Sequence, residues 1–234
     1  MKISVIQFPG SNCDFDTVHV LNNVMKVRAD LVWYKSEDLR SYDAVILPGG
    51  FSYGDRLRAG IIAAHSPVME EVRKMAKDGY PILGICNGFQ ILVEAGLLPG
   101  SLLRNSSLKF VCKWVSLSVM SNKSVFTKKL REGDVLKMPI AHNEGRYFIE
   151  ESDLKECYRK RQVVLKYTDD KGRVSELSNP NGSIDSIAGI CNDEGNVLGL
   201  MPHPERASEG LLSPFNSDDG RLLFSSMIEY ASER

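Results

Sequence analysis

The sequence lacks the features that mark secreted, membrane-spanning or nucleic-acid-binding proteins. No apolar run approaches the roughly 18 residues that a transmembrane helix needs, and no hydrophobic signal-peptide region follows Met1. The formal net charge of -1 leaves no excess of lysine and arginine with which to bind phosphate backbones or acidic membranes. We therefore expect a cytoplasmic protein that binds neither nucleic acid nor membrane.

Paired cysteines are absent as well. The chain has 5 cysteines, an odd number, and none of them has the Cys-x-x-Cys spacing of a zinc site or a redox-active dithiol. This pattern favours a reducing compartment and predicts no metal site. The 19 glycines and 10 prolines in 234 residues are too few for a fibrous or disordered chain. We expect one domain over residues 1–234.

Short apolar runs alternate with helical patterns through the first half of the chain, which is typical of a parallel sheet covered by helices. From about residue 108 the pattern changes to strand-like runs with few helices, so we expect antiparallel strands to extend the sheet. The predicted strands are residues 3–8, 31–34, 44–47, 82–85, 110–119, 135–140, 146–149, 163–167, 187–191 and 197–200. The predicted helices are residues 15–25, 68–76, 89–98 and 221–230. The fold class is therefore α/β, with a mostly parallel central sheet and added antiparallel strands.

One cysteine lies in a segment that predicts a nucleophile. Residues 80–93 indicate a buried strand, a tight turn with the sequence Gly84-Ile85-Cys86-Asn87-Gly88, and a helix. Glycines on both sides of a nucleophile permit the cramped turn that pushes its side chain above the edge of a sheet. At a helix N-terminus, partial positive charge and free N–H groups favour a thiolate. The alternative is that Cys86 is a small buried apolar residue at a strand end.

A thiolate that attacks an acyl group needs a base, and the base needs an acceptor that orients it. His203 follows the predicted strand 197–200 in a turn stiffened by two prolines, and Glu205 comes two residues later. We expect the Glu205 carboxylate to contact the imidazole if this turn is extended. His142, with Glu144 two residues later, is a rival base or a residue that lines the substrate pocket. The alternative for His203 is a residue that only ends a strand.

Acyl transfer also needs N–H donors for the oxyanion that develops. The backbone N–H of Asn87, directly after the candidate nucleophile, is one. The segment Leu47-Pro48-Gly49-Gly50-Phe51 follows a predicted strand, and its paired glycines let the backbone approach a substrate closely. The N–H of Gly50 or Phe51 is therefore the expected second donor. The alternative is an ordinary tight turn, and the segment lacks the ending of a phosphate-binding loop.

Three short motifs, in a fixed order along the chain, carry a family resemblance. They are Leu47-Pro48-Gly49-Gly50, the cysteine segment extended to Gln90, and His203-Pro204-Glu205. Together they resemble the class I, triad-type glutamine amidotransferases, which implies a flavodoxin-like three-layer α/β domain. More narrowly, five segments spread over nearly the whole chain resemble the glutaminase subunits of phosphoribosylformylglycinamidine synthase, an enzyme of purine biosynthesis. These segments are residues 8–14, 48–55, 85–92, 140–147 and 200–206.

The resemblance implies a role for each matching residue. Cys86 would be the nucleophile, His203 the acid–base group and Glu205 its orienting partner. The substrate-binding residues would be Gly49, Gly50, Phe51, Asn87 and Gln90. Attack on glutamine would release ammonia and leave a glutamyl thioester, which water would hydrolyse to glutamate.

The resemblance also implies partners. A synthetase must bind ATP and a phosphorylated acceptor, and the sequence offers no phosphate loop or paired metal-binding carboxylates for this. The ammonia would pass to a large synthetase subunit, and a small accessory subunit would complete the complex. No cofactor is expected in this chain, because ATP and magnesium would be used on the synthetase. Two other classes stay open: a stand-alone cysteine hydrolase of the related peptidase-like superfamily, and a non-catalytic regulatory subunit with a structural Cys86.

Overall fold

The computed structural model describes residues 1–36 and 38–234. The strands of this part of the chain are β1 (Lys2–Gln7), β2 (Arg28–Trp33), β3 (Ala44–Leu47), β4 (Ile82–Ile85), β5 (Ser101–Leu103), β6 (Val111–Val119), β7 (Val135–His142), β8 (Arg146–Phe148), β9 (Val163–Thr168), β10 (Ile187–Cys191) and β11 (Val197–Leu200). The helices are α1 (Asp14–His19), α2 (Ile61–Ala64), α3 (Val68–Lys77), α4 (Asn87–Glu94), α5 (Glu151–Arg159) and α6 (Gly220–Ser232).

Among the described residues, five of the nine strands of the central sheet run parallel, and the other four extend it by antiparallel pairing. Its strand order is β2-β1-β3-β4-β11-β10-β9-β6-β7. The strands from β2 to β11 run parallel, and the strands from β10 to β7 pair antiparallel with their neighbours. This confirms the predicted α/β fold with a mostly parallel sheet and added antiparallel strands. Strands β10 and β11 pair as an antiparallel hairpin.

The middle of the sheet forms the core. Strands β3, β4 and β11 are buried along their whole length, which requires cover on both faces of the sheet. Their sequences are nearly continuous runs of valine, isoleucine and leucine, and full burial of each such side chain stabilises the fold by about 1.5–3 kcal/mol. Helix α4 packs against all three strands. The element that carries the candidate nucleophile is therefore held by fully buried strands.

The same three strands fix the position of the site. Leu200 pairs with Ile85, the last residue of β4, and Leu47 pairs with Gly84 one residue earlier, so the three carboxyl ends meet at one edge of the sheet. The loops that carry Gly49, Cys86 and His203 leave this edge side by side. In open α/β sheets, this edge is the usual place for a ligand.

The helices are short and amphipathic. Helix α3 begins after Pro67 and ends before Gly79, which takes a left-handed φ of 83° that suits a helix end. Its buried residues are Val68, Met69, Val72, Met75 and Ala76, which confirms the helix predicted over residues 68–76. Within residues 1–36 and 38–234, no helix is long and apolar enough to cross a membrane.

Three predicted elements differ in detail from the structure. Residues 146–149 do not extend the main sheet, because β8 pairs with β5 in a separate two-stranded ladder. Strand β5 has only 3 residues, too few for an alternating pattern to reveal it. The helix predicted over residues 89–98 ends at Glu94, because Gly96 follows with a left-handed φ of 72°. The helix predicted over residues 15–25 is α-helical only to His19 and continues as a π-helix over Val20–Val24.

Candidate active site

Cys86 lies in the turn between β4 and α4. Its φ of 50° and ψ of −103° lie in a region that residues with a Cβ atom seldom adopt. The residue is 6% exposed, and its N–H donates to the Leu200 carbonyl at 2.8 Å. The thiol contacts the Ala141 carbonyl at 3.7 Å. A strained residue between a buried strand and a helix is the geometry of a nucleophile elbow.

The two flanking glycines are required by close packing. A Cβ atom on Gly84 would lie 2.5 Å from Leu92 Cδ1. A Cβ atom on Gly88 would lie 1.9 Å from the Leu47 carbonyl oxygen. Helix α4 therefore approaches β3 and β4 at a distance that only glycine permits, and this approach holds the strained turn in place.

His203 and Glu205 form a buried pair after β11. Nδ1 of His203 lies 2.6 Å from Glu205 Oε1, and the residues are 2% and 1% exposed. The sequence predicts this contact if the turn is extended; in the structure a 3-10 helix over Pro204–Ala207, directly after the histidine, makes the contact instead. The tight turn brings the carboxylate back beside the ring. The backbone N–H of His203 donates to the Pro139 carbonyl at 2.9 Å, which fixes the start of the turn.

The neighbours of His203 set its charge. Burial disfavours the imidazolium, but the Glu205 carboxylate and Cys86 outweigh burial and hold the pKa of His203 well above its usual value. Its Nε2 is buried and has no hydrogen-bond partner in the described part of the chain. One oriented nitrogen and one free nitrogen suit the ring for proton transfer.

Two backbone N–H groups beside the thiol are open for an oxyanion. Those of Asn87 and Gly50 have no acceptor among the described residues. The Phe51 N–H, the other candidate from the sequence, donates to the Gly10 carbonyl at 2.9 Å. The choice between Gly50 and Phe51 therefore narrows to Gly50. Its φ is 150°, and an added Cβ atom would lie 2.7 Å from a backbone nitrogen of the facing loop, so glycine is required there.

The side chains of Asn87 and Gln90 tie three parts of the site together. Oδ1 of Asn87 accepts from the Ser52 N–H at 3.0 Å, and its Nδ2 donates to Gln90 Oε1 at 2.8 Å. Nε2 of Gln90 donates to the Glu144 carbonyl at 2.6 Å. The resemblance implies that Gln90 helps to hold the substrate; in the structure it lines the same cavity as Cys86, and both ends of its amide also contact the protein. Gln90 therefore links α4 to the loop after β7.

His142 is buried near the site, but both of its ring nitrogens are occupied. Nδ1 lies 3.1 Å from Asn105 Oδ1, and Nε2 lies 3.5 Å from Asn181 Nδ2. Because Asn105 Oδ1 also accepts from the Gly145 N–H at 3.1 Å, Nδ1 is the donor and the ring is neutral. Burial, together with the charge of His203, lowers the pKa of His142 to about 4. The rival base is therefore poorly suited to proton transfer at neutral pH.

A second cysteine, Cys13, lies beside the histidine–glutamate pair. Its sulfur accepts from Arg206 Nη2 at 3.2 Å and lies within 4.8 Å of ligating atoms of His203 and Glu205. Burial raises the pKa of the Cys13 thiol. Sulfur, nitrogen and oxygen at these separations are a possible metal-ligand set. However, the ring and the carboxylate are already hydrogen-bonded to each other, and the guanidinium adds a positive charge that opposes a cation.

Cys86 lines a cavity of about 200 Å³ together with residues from several loops. Gly50, one of the two open N–H donors, lines the same cavity. So do three charged side chains: Asp55 and Arg104, which the sequence did not single out, and Glu144, which it named only as the neighbour of His142. Asp55 and Glu144 belong to segments that carry the family resemblance. Their spacing in the sequence, however, gives no sign that the two loops face one cavity.

Comparison with known proteins places the chain in a family. The model of the CobB/CobQ-like glutamine amidotransferase domain matches residues 1–231. The phosphoribosylformylglycinamidine synthase subunit PurQ of Methanosarcina acetivorans is 56% identical over 233 residues, which are 100% of this chain and 99% of that protein. The subunit PurQ of Aquifex aeolicus is 50% identical over 228 residues, which are 97% of this chain and 99% of that protein.

Solved structures agree with this placement. A chain in the structure of PurLQS from Thermotoga maritima has a TM-score of 0.85 and 44% sequence identity, and the match covers 98% of both chains. A glutamine amidotransferase from Thermotoga maritima has the same fold, with a TM-score of 0.62 and 16% identity over 100% of this chain and 99% of that one. The chain therefore belongs to the CobB/CobQ-like glutamine amidotransferase family, in the group that contains the PurQ subunits of phosphoribosylformylglycinamidine synthase.

Proposed function

We propose that this chain is the glutaminase subunit of a phosphoribosylformylglycinamidine synthase, which hydrolyses glutamine and supplies the ammonia to a synthetase subunit. The names of relatives that are 50% and 56% identical over nearly their whole length support the choice of this enzyme. One observation carries the glutaminase chemistry. A buried His203–Glu205 pair with a free Nε2 stands at the same sheet edge as the strained Cys86 thiol.

In the proposed reaction, Cys86 Sγ attacks the carbon of the glutamine side-chain amide. The thiol proton already resides on His203 in a thiolate–imidazolium pair, in keeping with the raised pKa of the ring, and Nε2 passes a proton to the amide nitrogen, which leaves as ammonia when the C–N bond breaks. Glu205 keeps Nδ1 protonated and stabilises the imidazolium. The N–H groups of Gly50 and Asn87 stabilise the negative oxygen of the tetrahedral intermediate. A glutamyl thioester remains on the enzyme.

Water then attacks the thioester carbon. His203 removes a proton from the water and returns a proton to the sulfur as the C–S bond breaks, so that glutamate leaves and the free thiol is restored. The same two N–H groups stabilise the second oxyanion. The raised pKa of His203 supports this double role, because the ring must hold a proton between the two transfers.

The five residues predicted to bind substrate divide into three roles in this proposal. Gly50 and Asn87 donate their backbone N–H groups. Phe51 is 45% exposed and lines the cavity, where its side chain can contact the bound glutamine. Gly49 and Gln90 act by positioning. A Cβ atom on Gly49 would lie 2.7 Å from Cε1 of the catalytic imidazole, so glycine keeps this loop against the ring.

The ammonia leaves for another protein in this proposal. A related chain comes from a structure of PurLQS, which agrees with a complex of this chain with a large synthetase subunit and a small accessory subunit. ATP and magnesium would be used on the synthetase, and this chain would need no cofactor of its own. We further propose that residues 1–234 act as one domain in the cytoplasm, and the family match over residues 1–231 supports a single unit.

The test is glutamine-dependent ammonia release by the complex reconstituted with wild-type chain or with Cys86→Ala. We expect the variant to lose at least about 10⁴-fold in rate, because it removes the group that forms the covalent intermediate. Cys191→Ala, which changes a buried cysteine on β10 toward the other edge of the sheet, is the matched control. Retained activity in Cys86→Ala would refute the nucleophile. Full activity of the chain without partners would instead indicate a stand-alone hydrolase.

A further inference from the structure

Cys13 has no task in the proposed reaction, although it lies beside the catalytic histidine–glutamate pair. It is 3% exposed, and its Sγ lies within 4.8 Å of ligating atoms of both members of the pair. We propose that Cys13 is a positioning residue that fixes the His203 imidazole against the loop of the oxyanion donor Gly50. Arg206 orients the sulfur for this task. The inference rests on the proposed function and deepens it, because it states what holds the base and the oxyanion hole in one arrangement.

The backbone around Cys13 holds the loop that follows β3. The Cys13 N–H donates to the Gly49 carbonyl at 3.1 Å, and the N–H of Asn12 donates to the same oxygen at 3.2 Å. Ser11 pairs with Gly50 in an isolated bridge. These contacts fix the two glycines, and with them the direction of the Gly50 N–H. A donor that is aligned before the reaction costs no reorganisation when the oxyanion forms.

The side chain of Cys13 meets the imidazole at the same loop. A Cβ atom on Gly49 would lie 2.7 Å from Cε1 of His203 and 3.2 Å from Sγ of Cys13. The glycine backbone, the sulfur and the edge of the ring therefore converge on a volume that has no room for another group. The sulfur adds a second restraint on rotation of the ring, beside the contact of Nδ1 with Glu205.

Arg206 holds the sulfur from the opposite side. Its Nη2 donates to Cys13 Sγ at 3.2 Å, and its Nε lies 3.5 Å from the carboxylate of Asp16. Asp16 belongs to α1, the helix that begins directly after Cys13. The Thr17 hydroxyl of the same helix donates to the Cys13 carbonyl at 2.7 Å. The guanidinium thus ties the turn after β11 to the start of α1, with the sulfur between them.

The thiol of Cys13 stays protonated at neutral pH. Burial raises its pKa and outweighs the opposite effects of His203 and Arg206. A neutral thiol is a poor nucleophile and does not compete with the Glu205 carboxylate for the imidazolium. Sulfur is also a weak, polarisable acceptor, so it tolerates the ring in both of its charge states. A second cysteine can therefore lie beside the base without joining the chemistry.

A fixed ring matters because its Nε2 has two partners in turn. It passes a proton to the leaving amide nitrogen and later takes one from water, and both must lie within hydrogen-bond reach. Among residues 1–36 and 38–234, no group bonds to Nε2 and holds it in place. The orientation of the ring therefore depends on its other edge, where Glu205 and the Cys13 sulfur lie. A misplacement of about 1 Å at a reacting group can lower the rate about 10²-fold.

Replacement of the sulfur in the reconstituted complex tests the inference. For Cys13→Ala we expect kcat for glutamine-dependent ammonia release to fall about 10- to 100-fold, while KM changes less than about threefold, because the ring is misplaced and the substrate site is intact. Cys13→Ser keeps an acceptor for the guanidinium and most of the volume, so its kcat should stay within about threefold of wild type. Urea unfolding of each variant shows that the assayed protein is folded.

Cys157→Ala is the matched control. Cys157 is also 3% exposed, but it lies on α5, away from the site. The variant removes an equally buried thiol, so a general loss of packing would appear in it too. Its kcat should equal that of wild type.

A double-mutant cycle tests whether Arg206 acts through the sulfur. Arg206→Met removes the guanidinium and keeps much of the side-chain length, and we expect kcat to fall about 3- to 10-fold. Combined with Cys13→Ala, it should lower kcat no further than Cys13→Ala does alone, because the contact that it supports is already absent. Full multiplication of the two losses would contradict the role assigned to Arg206.

The outcomes separate the inference from the function beneath it. An unchanged kcat in Cys13→Ala, an equal loss in Cys157→Ala, or a rise in KM alone would refute the positioning role while Cys86 keeps its own. A loss in Cys13→Ser as large as that in Cys13→Ala would refute it as well. If the wild-type complex releases no ammonia from glutamine, the proposed function fails, and the inference fails with it.

Discussion

Two histidines of this chain share a local sequence pattern and have opposite properties. Each is buried, and a glutamate follows each of them two residues later. The pKa of His203 is raised well above its usual value, whereas the pKa of His142 is lowered to about 4. The difference lies in the partners. The Glu205 carboxylate contacts its imidazole at 2.6 Å, while the Glu144 carboxylate lies against a guanidinium.

The comparison teaches that spacing alone does not make a catalytic pair. After His203, a 3-10 turn that begins with Pro204 returns the carboxylate to the ring. After His142, the chain leaves β7 with Gly145 packed so closely that an added Cβ atom would lie 2.4 Å from the ring. Two asparagine side chains then occupy both nitrogens of His142. The local backbone decides which carboxylate reaches which ring.

Replacing each histidine in turn should give the largest difference between the two residues. For His203→Gln we expect a loss of about 10²–10⁴-fold in kcat for ammonia release, because the variant has no acid–base group. His142→Gln, the matched variant, should lose far less, because its ring takes no part in proton transfer. Steady-state ammonia release by the reconstituted complex measures both. Equal losses would mean that the two histidines share the chemistry.

Glu205→Gln should lower kcat less than His203→Gln does, and it tests the part played by the carboxylate. The amide cannot stabilise the imidazolium as a carboxylate does, but the base is still present, so the loss in kcat should be about 10- to 100-fold milder than for His203→Gln. Glu144→Gln, the matched change after the other histidine, should act mainly on KM. The same assay over a range of glutamine concentrations separates the two constants. A near-complete loss in Glu205→Gln would point to a more direct role for its carboxylate.

The smallest expected effect is on the way the free energy of unfolding depends on pH. The folded chain keeps His142 neutral with a pKa of about 4, below its usual value of 6.5 in an unfolded chain. Its contribution is therefore fully present above pH 6.5 and is lost as the pH falls from 6.5 toward about 4, by at most about 3 kcal/mol. Urea unfolding of wild type and His142→Gln at several pH values checks this. Identical pH dependence in both proteins would contradict it.

His203 should show the opposite sign. Its folded pKa lies above its unfolded value, so its stabilising contribution is present at low pH and is lost as the pH rises through the folded pKa. In the same unfolding series, His203→Gln should therefore differ from wild type most at low pH. A difference that grows with rising pH would contradict the raised pKa.

The sequence was sufficient to predict which edge of the sheet carries the site and which residues lie there. Gly49, Cys86 and His203 each follow a short, fully apolar strand, and parallel strands end together. Signals of this kind depend only on residues that are adjacent in the sequence, so a single sequence is enough to show them. The glycines around Cys86 belong to the same class, because their pattern reports a tight turn directly.

The remaining features depend on contacts between distant segments. The choice between Gly50 and Phe51 rests on a hydrogen bond from Phe51 to Gly10 that no spacing predicts. The contact of Gln90 with the loop after β7 exists only in the folded chain, so the sequence could not predict it. The charged cavity groups were missed for the same reason, because they come together from three separate loops.

The central claim is that Cys86 carries a glutamyl thioester during turnover. The most direct measurement is mass spectrometry of peptides from the complex after acid quenching during turnover of isotopically labelled glutamine. We predict a labelled glutamyl group on the Cys86 peptide of the wild-type chain and none in Cys86→Ala. Label on the peptide of Cys13, the other thiol near His203, or ammonia release without label on any cysteine, would contradict the account.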